Sequence, residues 1–282
     1  DSPTQLLAFS QYCGRSMNYC LSAPGAVYVV GASPPDGNDQ TTDDDKVYRV
    51  QGTSFAAPLV SGAAAAVWSM FPYFNNDLVR QTILGTAKDI GAPGVDQVFG
   101  WGVLDVGKAV NGPANFAWGD VSVSFSGNSV WRNPIIGSGG LIKGGSGTLT
   151  LAEAGNFTGA TRVDAGGLDV RKGLRSNLSI ANGATVWGSG VFGGNVSNSG
   201  RFYGGASSPA SISGNFVQSS TGNLGVWLGS SLRVTGSATI DGQMSILGVK
   251  SGYTTTSKET LLNAAGGVTG TFASLRAAPN VF

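Results

Sequence analysis

From about Gly139 to its end, the chain consists of short β-prone segments separated by turns rich in glycine. LTL at 149–151, LSI at 178–180 and LGVWL at 224–228 are examples, and each is too short to bury its aliphatic side chains alone. The 45 glycines are concentrated after about residue 110, where they are mixed with Ser, Thr, Asn and Val. This composition indicates many short strands joined by turns.

Two architectures fit such a run of strands. Pairs such as Asn182-Gly183 and Asp241-Gly242 are typical of hairpins, which would build an antiparallel sandwich. However, each period carries a second glycine-rich turn, and aliphatic residues recur at matching points in LTL, LDV and LSI. Stacked coils would bury these residues in a continuous ladder. We therefore predict a right-handed parallel β-helix, with the sandwich as the alternative.

The first region mixes helix and strand signals. Ala26–Val30 and Val47–Val50 are rich in β-prone residues and predict strands. The alanine-rich run GTSFAAPLVSGAAAAVWSMF predicts a helix, and we interpret its apolar part, Phe55–Phe71, as buried in protein because it is short for a membrane span. Asn75–Asp77 are suited to cap a second helix over Leu78–Ala87.

The expected fold class is therefore an α/β region followed by an all-β right-handed parallel β-helix. We place the first region at residues 1–112 and the β-helix at residues 139–282. Residues 113–138, which carry Pro113 and Pro134, are expected to form a linker or a first coil.

The net charge and the amino-terminal residues limit which functions are expected. A formal charge of +1 with 12% charged residues gives no basic field, so nucleic acid is not an expected partner. Asp1–Gln5 is polar and lacks the pattern of a signal peptide, so we expect this terminus to be internal to a longer chain, or mature.

Cys13 and Cys20 lie close together in the polar segment QYCGRSMNYC. Two isolated thiols are the simpler alternative, and a zinc site is less favoured because the chain has no histidine. We predict a small disulfide loop, which would stabilise the fold by about 2 to 3 kcal/mol. A disulfide also predicts a location outside the reducing cytosol.

The segment VQGTSFAAPLVSG, residues 50–62, is the main candidate for chemistry. We expect Gly52 to adopt a backbone conformation that a side chain would forbid, and Ser54 to lie where the helix begins. Unpaired N–H groups at a helix start would stabilise an oxyanion beside the Ser54 hydroxyl. Pro58 agrees with this placement, since proline is tolerated near a helix start. The simpler alternative is that Thr53 or Ser54 only caps the helix.

GTSFAAPLVSGAAA resembles the serine motif of the subtilisin-like peptidases, the subtilases. CLSAPG and GWGVLDVGKA resemble two further segments of that family in the same order, so that the resemblance covers about residues 6–110. It implies that Ser54 is the nucleophile and that its own N–H is one oxyanion donor, with Gly52, Thr53 and Pro58 as supporting motif residues. It also implies that the catalytic Asp and His and the oxyanion-hole Asn lie upstream of Asp1.

The chain contains no histidine, so it carries no residue that matches the family's base. We therefore expect residues 1–282 alone to be inactive and to need the upstream segment, joined covalently or retained as a separate nicked chain. Lys46 is a disfavoured alternative base because it lies in the charged stretch TTDDDKVYR. Asp43–Asp45 are a weak candidate for calcium, and no metal or other cofactor is expected.

GGLIKGGSGTLTLAEAGNFTGATRVDAGGLDV resembles the β-strand repeat of autotransporter passengers, and ETLLNAAGGVTGTFASL resembles the end of such passengers. This resemblance implies export through a C-terminal outer-membrane β-barrel of the precursor and a location at the bacterial surface or outside the cell. We interpret five aromatic residues of the repeat region as packing groups, with an exposed stripe for glycan or protein ligands as the alternative. They are Trp187, Phe192, Phe202, Tyr203 and Trp227.

Together these features predict part of an extracellular subtilisin-like serine endopeptidase that acts on protein substrates. The alternative is a non-enzymatic surface scaffold or adhesin passenger.

Overall fold

The computed structural model describes residues 5–30, 47–205, 209–253 and 258–279. The described residues fall into two compact units. The first combines Asp1–Met70 with Ile83–Val110, and the second combines Phe71–Thr82 with Asn111–Phe282.

The first unit contains a short antiparallel strand pair and several helices. Its described elements are a 3-10 helix (Gly14–Tyr19), β1 (Ala26–Val30), β2 (Val47–Gln51), α1 (Thr53–Met70), the end of α2 (Asn76–Thr86) and α3 (Val106–Ala109). The β1–β2 register pairs Ala26 with Gln51 and Val30 with Val47.

Side-chain caps explain where two of the helices start. The Asn75 side chain accepts a hydrogen bond from the Leu78 N–H at 2.8 Å at the start of α2, as the sequence predicted. Asp105 accepts one from the Lys108 N–H at 2.8 Å at the start of α3.

The expected burial of α1 is wrong for this chain. Among its described residues, Ala63 and Val67 are buried, whereas Leu59, Trp68 and Met70 are exposed. The helix is apolar on all sides, and the described part of the first unit covers only one side of it. By length and composition, α1 is the one helix in the described ranges that could cross a membrane, a property it shares with core helices of soluble proteins.

The second unit is built from short strands that follow one another along the chain. They are β3 (Asn115–Phe116), β4 (Val121–Ser124), β5 (Asn128–Trp131), β6 (Ile136–Gly137), β7 (Leu141–Gly144), β8 (Thr148–Leu151), β9 (Thr161–Val163), β10 (Gly167–Val170), β11 (Leu178–Ile180), β12 (Thr185–Gly188), β13 (Gly190–Phe192), β14 (Val196–Asn198), β15 (Arg201–Gly204), β16 (Ala210–Ile212), β17 (Phe216–Gln218), β18 (Asn223–Leu228), β19 (Leu232–Val234), β20 (Ala238–Ile240), β21 (Gln243–Val249), β22 (Leu262–Ala264), β23 (Val268–Gly270) and β24 (Ser274–Ala277).

Parallel pairing sorts these strands into three long sheets and one short pair. Sheet A has the order β5-β8-β10-β12-β15-β18-β21-β24, and sheet B has the order β4-β7-β9-β11-β14-β17-β20-β23. Sheet C has the order β13-β16-β19-β22, and β3 pairs with β6. Successive strands along the chain belong to different sheets, which is the arrangement of a parallel β-solenoid.

The core of the solenoid is a ladder of inward side chains at register positions of neighbouring coils. In sheet A, Leu149, Leu168, Val186, Phe202 and Leu224 are register partners in turn, and all are fully buried. The predicted α/β region and β-solenoid are therefore confirmed, and the sandwich alternative is excluded.

The Asn-Gly and Asp-Gly pairs are turns between coil faces. Gly183 (φ 86°) lies between β11 of sheet B and β12 of sheet A, and Gly242 (φ 65°) lies between β20 and β21 in the same way. Both positions need a positive φ, which glycine supplies. The hairpin signal was thus a correct turn signal that does not fix the direction of the next strand.

The division at residues 112/113 and 138/139 stays a prediction. Within 113–138 the chain forms β3 to β6, and β4 and β5 pair with β7 and β8 of the following coil.

Candidate active site

Ser54 lies where a strand turns into a helix. β2 ends at Gln51, Gly52 forms the connection, and α1 begins at Thr53. The Gly52 N–H donates to the Gly25 carbonyl at 2.8 Å, and the Phe55 N–H donates to the Gly52 carbonyl at 3.0 Å. Ser54 is the second residue of α1 and is exposed.

Close contacts, and not the backbone conformation, explain the glycine at position 52. Gly52 is not among the glycines of positive φ, so the conformational reason expected from the sequence is wrong. A Cβ at this position would lie 3.1 Å from the Ser54 Oγ and 3.4 Å from the Phe55 Cδ2. A side chain here would therefore crowd the serine hydroxyl.

The first turn of α1 supplies partial positive charge beside Ser54. N–H groups at the start of a helix have no partner four residues earlier, so the Ser54 N–H is available to a bound anion. Pro58 is the sixth residue of α1 and has no N–H, so it cannot donate to the Ser54 carbonyl one turn before it. The position of Ser54 is therefore set by β2 before it and by α1 after it, and not by a hydrogen bond from Pro58 to its carbonyl.

The other two motif segments meet beside this turn. The Ser22 N–H, in CLSAPG, donates to the Gly102 carbonyl at 2.8 Å, and the Leu104 N–H donates back to Ser22 at 2.8 Å. Gly102 has φ 107°, and a Cβ there would overlap the Lys88 carbonyl oxygen. CLSAPG therefore joins GWGVL at one end and, through Gly25, the serine turn at the other.

The structure also gives Gly25 a role that sequence reasoning missed. Its carbonyl anchors Gly52, and a Cβ on Gly25 would lie 3.3 Å from both the Gly52 oxygen and the Leu7 Cδ1. The signal was present as the last residue of SAPG, directly before β1.

Cys13 and Cys20 form a disulfide, as predicted, with their Cα atoms 5.8 Å apart. The bridge closes the 3-10 helix Gly14–Tyr19, and backbone bonds dock this loop on the chain around residue 100. Among them, the Trp101 N–H donates to the Cys20 carbonyl at 2.9 Å, and the Gly14 N–H donates to the Gln97 carbonyl at 2.7 Å.

Two family models match parts of the chain. The Subtilase family model matches residues 1–102, and the model of the passenger-associated transport repeat matches residues 141–170. These matches and the parallel solenoid fit a fragment of a subtilase autotransporter passenger. The repeat and the relatives below support an exported passenger, exposed at the cell surface or secreted.

Two relatives illustrate the relationship. The passenger is 37% identical over 259 residues to the Neisserial autotransporter lipoprotein NalP of Neisseria meningitidis serogroup B, covering 86% of this chain and 23% of that protein. It is 31% identical over 238 residues to an extracellular serine protease of Serratia marcescens, covering 67% of this chain and 23% of that protein. It therefore spans about a quarter of the length of these relatives.

Two further sequence candidates, Lys46 and Asp43–Asp45, fall outside the described residues. Within the described ranges, no group of three or more His, Cys, Asp or Glu side chains is arranged to hold a metal ion.

Proposed function

We propose that Ser54 is the nucleophile of a serine endopeptidase that cleaves protein substrates. The observation that carries the proposal is the exposed Ser54 hydroxyl at the first turn of α1, within the subtilase motif GTSFAAP. Its Oγ attacks the scissile carbonyl carbon and gives up its proton to a base. The C–N bond then breaks, the amine leaves with a proton, and water hydrolyses the acyl-enzyme.

The Ser54 N–H stabilises the negative charge that develops on the carbonyl oxygen in this reaction. The helix start provides this donor without any rearrangement at the moment of attack, which is the condition for effective electrostatic catalysis. A second donor, the asparagine of the family's oxyanion hole, comes from the upstream segment.

The upstream segment also supplies the base and its orienting carboxylate. The 282 residues contain no histidine, and a serine hydroxyl without a base is a weak nucleophile. Apolar side chains are exposed on more than one side of α1, at Leu59, Trp68 and Met70, and this exposure favours a partner that covers the helix. This partner is the upstream segment of the same protease domain, either continuous with residue 1 or held as a separate chain.

The proposed role of the solenoid is in export of the passenger. In this proposal a C-terminal outer-membrane β-barrel of the precursor carries the passenger to the surface, and the solenoid holds the protease unit away from the membrane. The name of the Neisseria relative supports this route, because it is called an autotransporter.

The second candidate function is a non-enzymatic surface scaffold or adhesin. The observation that favours it is again the absence of histidine from the chain. Under this alternative the subtilase unit is a folded cap on the solenoid, and Ser54 has no chemical role.

Hydrolysis of labelled casein distinguishes the two. The passenger is produced together with the upstream sequence of its own gene, and Ser54→Ala is compared with Ser61→Ala. Ser61 is an exposed serine of the same helix whose hydroxyl donates to the Ala57 carbonyl, so it controls for loss of a helix serine. We expect Ser54→Ala to lower turnover by about a millionfold, the size of the loss for the nucleophile of subtilisin, and Ser61→Ala to have little effect. Equal activity of both variants would reject the proposal.

A further inference from the structure

The outer face of sheet A carries aromatic side chains that the core does not use. Of the five aromatic residues singled out in the sequence, Phe192 and Phe202 are fully buried inside the solenoid. Trp187 is 41% exposed, and Tyr203 and Trp227 are half-buried on the same outer face. The predicted packing role therefore holds for the two phenylalanines, while the remaining three residues line a surface.

Each of these three rings rests on a glycine of a neighbouring strand. A Cβ on Gly167 would lie 2.6 Å from the Trp187 Cζ3, so the indole covers the backbone of β10. A Cβ on Gly225 would likewise overlap the Tyr203 ring, which covers β18. Both glycines are buried although they lie on a face that is otherwise open to solvent. Each ring is thus close to the glycine of a neighbouring strand and stays partly exposed to solvent.

The two rings lean in opposite directions. Trp187 in β12 and Tyr203 in β15 are register partners on adjacent strands. Trp187 leans back toward β10, whereas Tyr203 leans forward toward β18. Neighbouring side chains that would ordinarily pack on each other are therefore splayed apart.

A cleft of about 440 Å³ opens between them. Gly188 and Gly204, also register partners, line it without side chains, and Thr148 and Asp169 add a hydroxyl and a carboxylate. The volume lies within the range of about 300–1,000 Å³ typical of small-ligand sites. An apolar surface with a few convergent polar groups is the usual composition of such sites.

We propose that this cleft binds a sugar residue of a neutral glycan. A pyranose with equatorial substituents presents C–H groups on its flat faces, which suit the electron-rich face of Trp187 or Tyr203. Its hydroxyl groups suit the Asp169 carboxylate and the Thr148 hydroxyl, two of the groups that line the same cleft. A neutral ligand fits because the charge of Asp169 is balanced by Arg171, whose Nε donates to Oδ2 at 3.1 Å.

Titration calorimetry of the complete 282-residue chain with chitotetraose and with cellotetraose tests this proposal. We expect the unaltered chain to bind at least one of the two, and Trp187→Ala to bind it about tenfold more weakly. Trp187→Phe keeps a ring over Gly167 and should retain most of the affinity.

Trp227→Ala is the matched control. Trp227 also covers a glycine of the next strand, Gly248, but it does not line the cleft. Its removal therefore reproduces the structural loss without touching the site, and we expect unchanged binding. The proposal is overturned if neither saccharide binds, if Trp187→Ala binds normally, or if Trp227→Ala and Trp187→Phe lose as much affinity as Trp187→Ala.

Discussion

A single lysine illustrates how this solenoid uses polar residues inside its wall. Lys143 is fully buried, and its Nζ donates to the carbonyls of Gly144 at 2.7 Å and Gly147 at 2.8 Å. The Phe125 ring lies 4.7 Å from the same nitrogen. The ammonium therefore donates to carbonyl groups of the turn GGSG, at the cost of removing a charge from water.

Replacing Lys143 tests how much its hydrogen bonds contribute to the stability of the solenoid. We expect Lys143→Met to lower the free energy of unfolding by about 1 to 3 kcal/mol, because the turn carbonyls lose the hydrogen bonds from the Lys143 Nζ. Lys172→Met is the control, since Lys172 is exposed and pairs with Glu153 at 2.6 Å, a contact expected to contribute about 0 to 1 kcal/mol. Urea unfolding measures both. A Lys143→Met chain as stable as the Lys172→Met chain would show that the buried bonds contribute nothing net.

The difference in stability between the unaltered chain and Lys143→Met should depend on pH with a defined sign. Burial lowers the pKa of Lys143 below its ordinary value, so the unfolded chain binds this proton more tightly than the folded chain. The contribution of Lys143 to the free energy of unfolding therefore rises as the pH rises from its folded pKa to its unfolded pKa of about 10.4. The unaltered chain should gain stability relative to Lys143→Met over that interval, and a relative loss would contradict the buried position.

At the scale of elements, an aromatic cluster joins the segment before α2 to the first coil. The Tyr73 ring stacks on Phe125 with centroids 4.1 Å apart. The Tyr73 hydroxyl shares a hydrogen bond with the Ser129 Oγ at 2.7 Å and accepts one from the Trp131 Nε1 at 3.0 Å. Since Trp131 is fully buried, this hydroxyl is the acceptor that its indole N–H requires.

Tyr73→Phe should lower the free energy of unfolding by about 1 to 2 kcal/mol, because the buried Trp131 N–H loses its acceptor. Burial raises the pKa of Tyr73 above its ordinary value, so its contribution is complete below about pH 10 and is lost as the pH rises through the folded pKa. Thermal unfolding across this range measures the effect, with Tyr12→Phe, at a 70% exposed tyrosine, as the control. A loss that is independent of pH would contradict the burial of the phenol.

The same elements indicate which features the sequence could predict. The inward ladder through Leu149 and Leu168 was predictable because each coil repeats an aliphatic residue at one position of its strand. The direction of each following strand was not, because a turn such as Asn182-Gly183 needs a positive φ in a hairpin and in a coil alike. The burial of α1 was mispredicted because it depends on residues other than those of the helix.

At the scale of the whole molecule, the candidate site is only partly determined by the passenger chain. The string GTSFAAP was enough to select Ser54 as the candidate nucleophile and to predict the strand–helix turn that holds it. The close contact of Gly52 with the serine hydroxyl and the anchoring by Gly25 required the structure, because they depend on how separate segments meet. The base and the second oxyanion donor belong to the upstream segment in our proposal, and the chain has no histidine to offer in their place.

Labelling with a fluorophosphonate, followed by mass spectrometry of the labelled peptide, tests the central claim most directly. The reagent reacts with a serine that a base has activated, so it reports the assembled site rather than substrate binding. We predict no adduct on residues 1–282 alone, and a single adduct, on Ser54, when the upstream segment is present. An adduct on another residue, or none in the presence of the upstream segment, would contradict the assignment of Ser54 as the nucleophile.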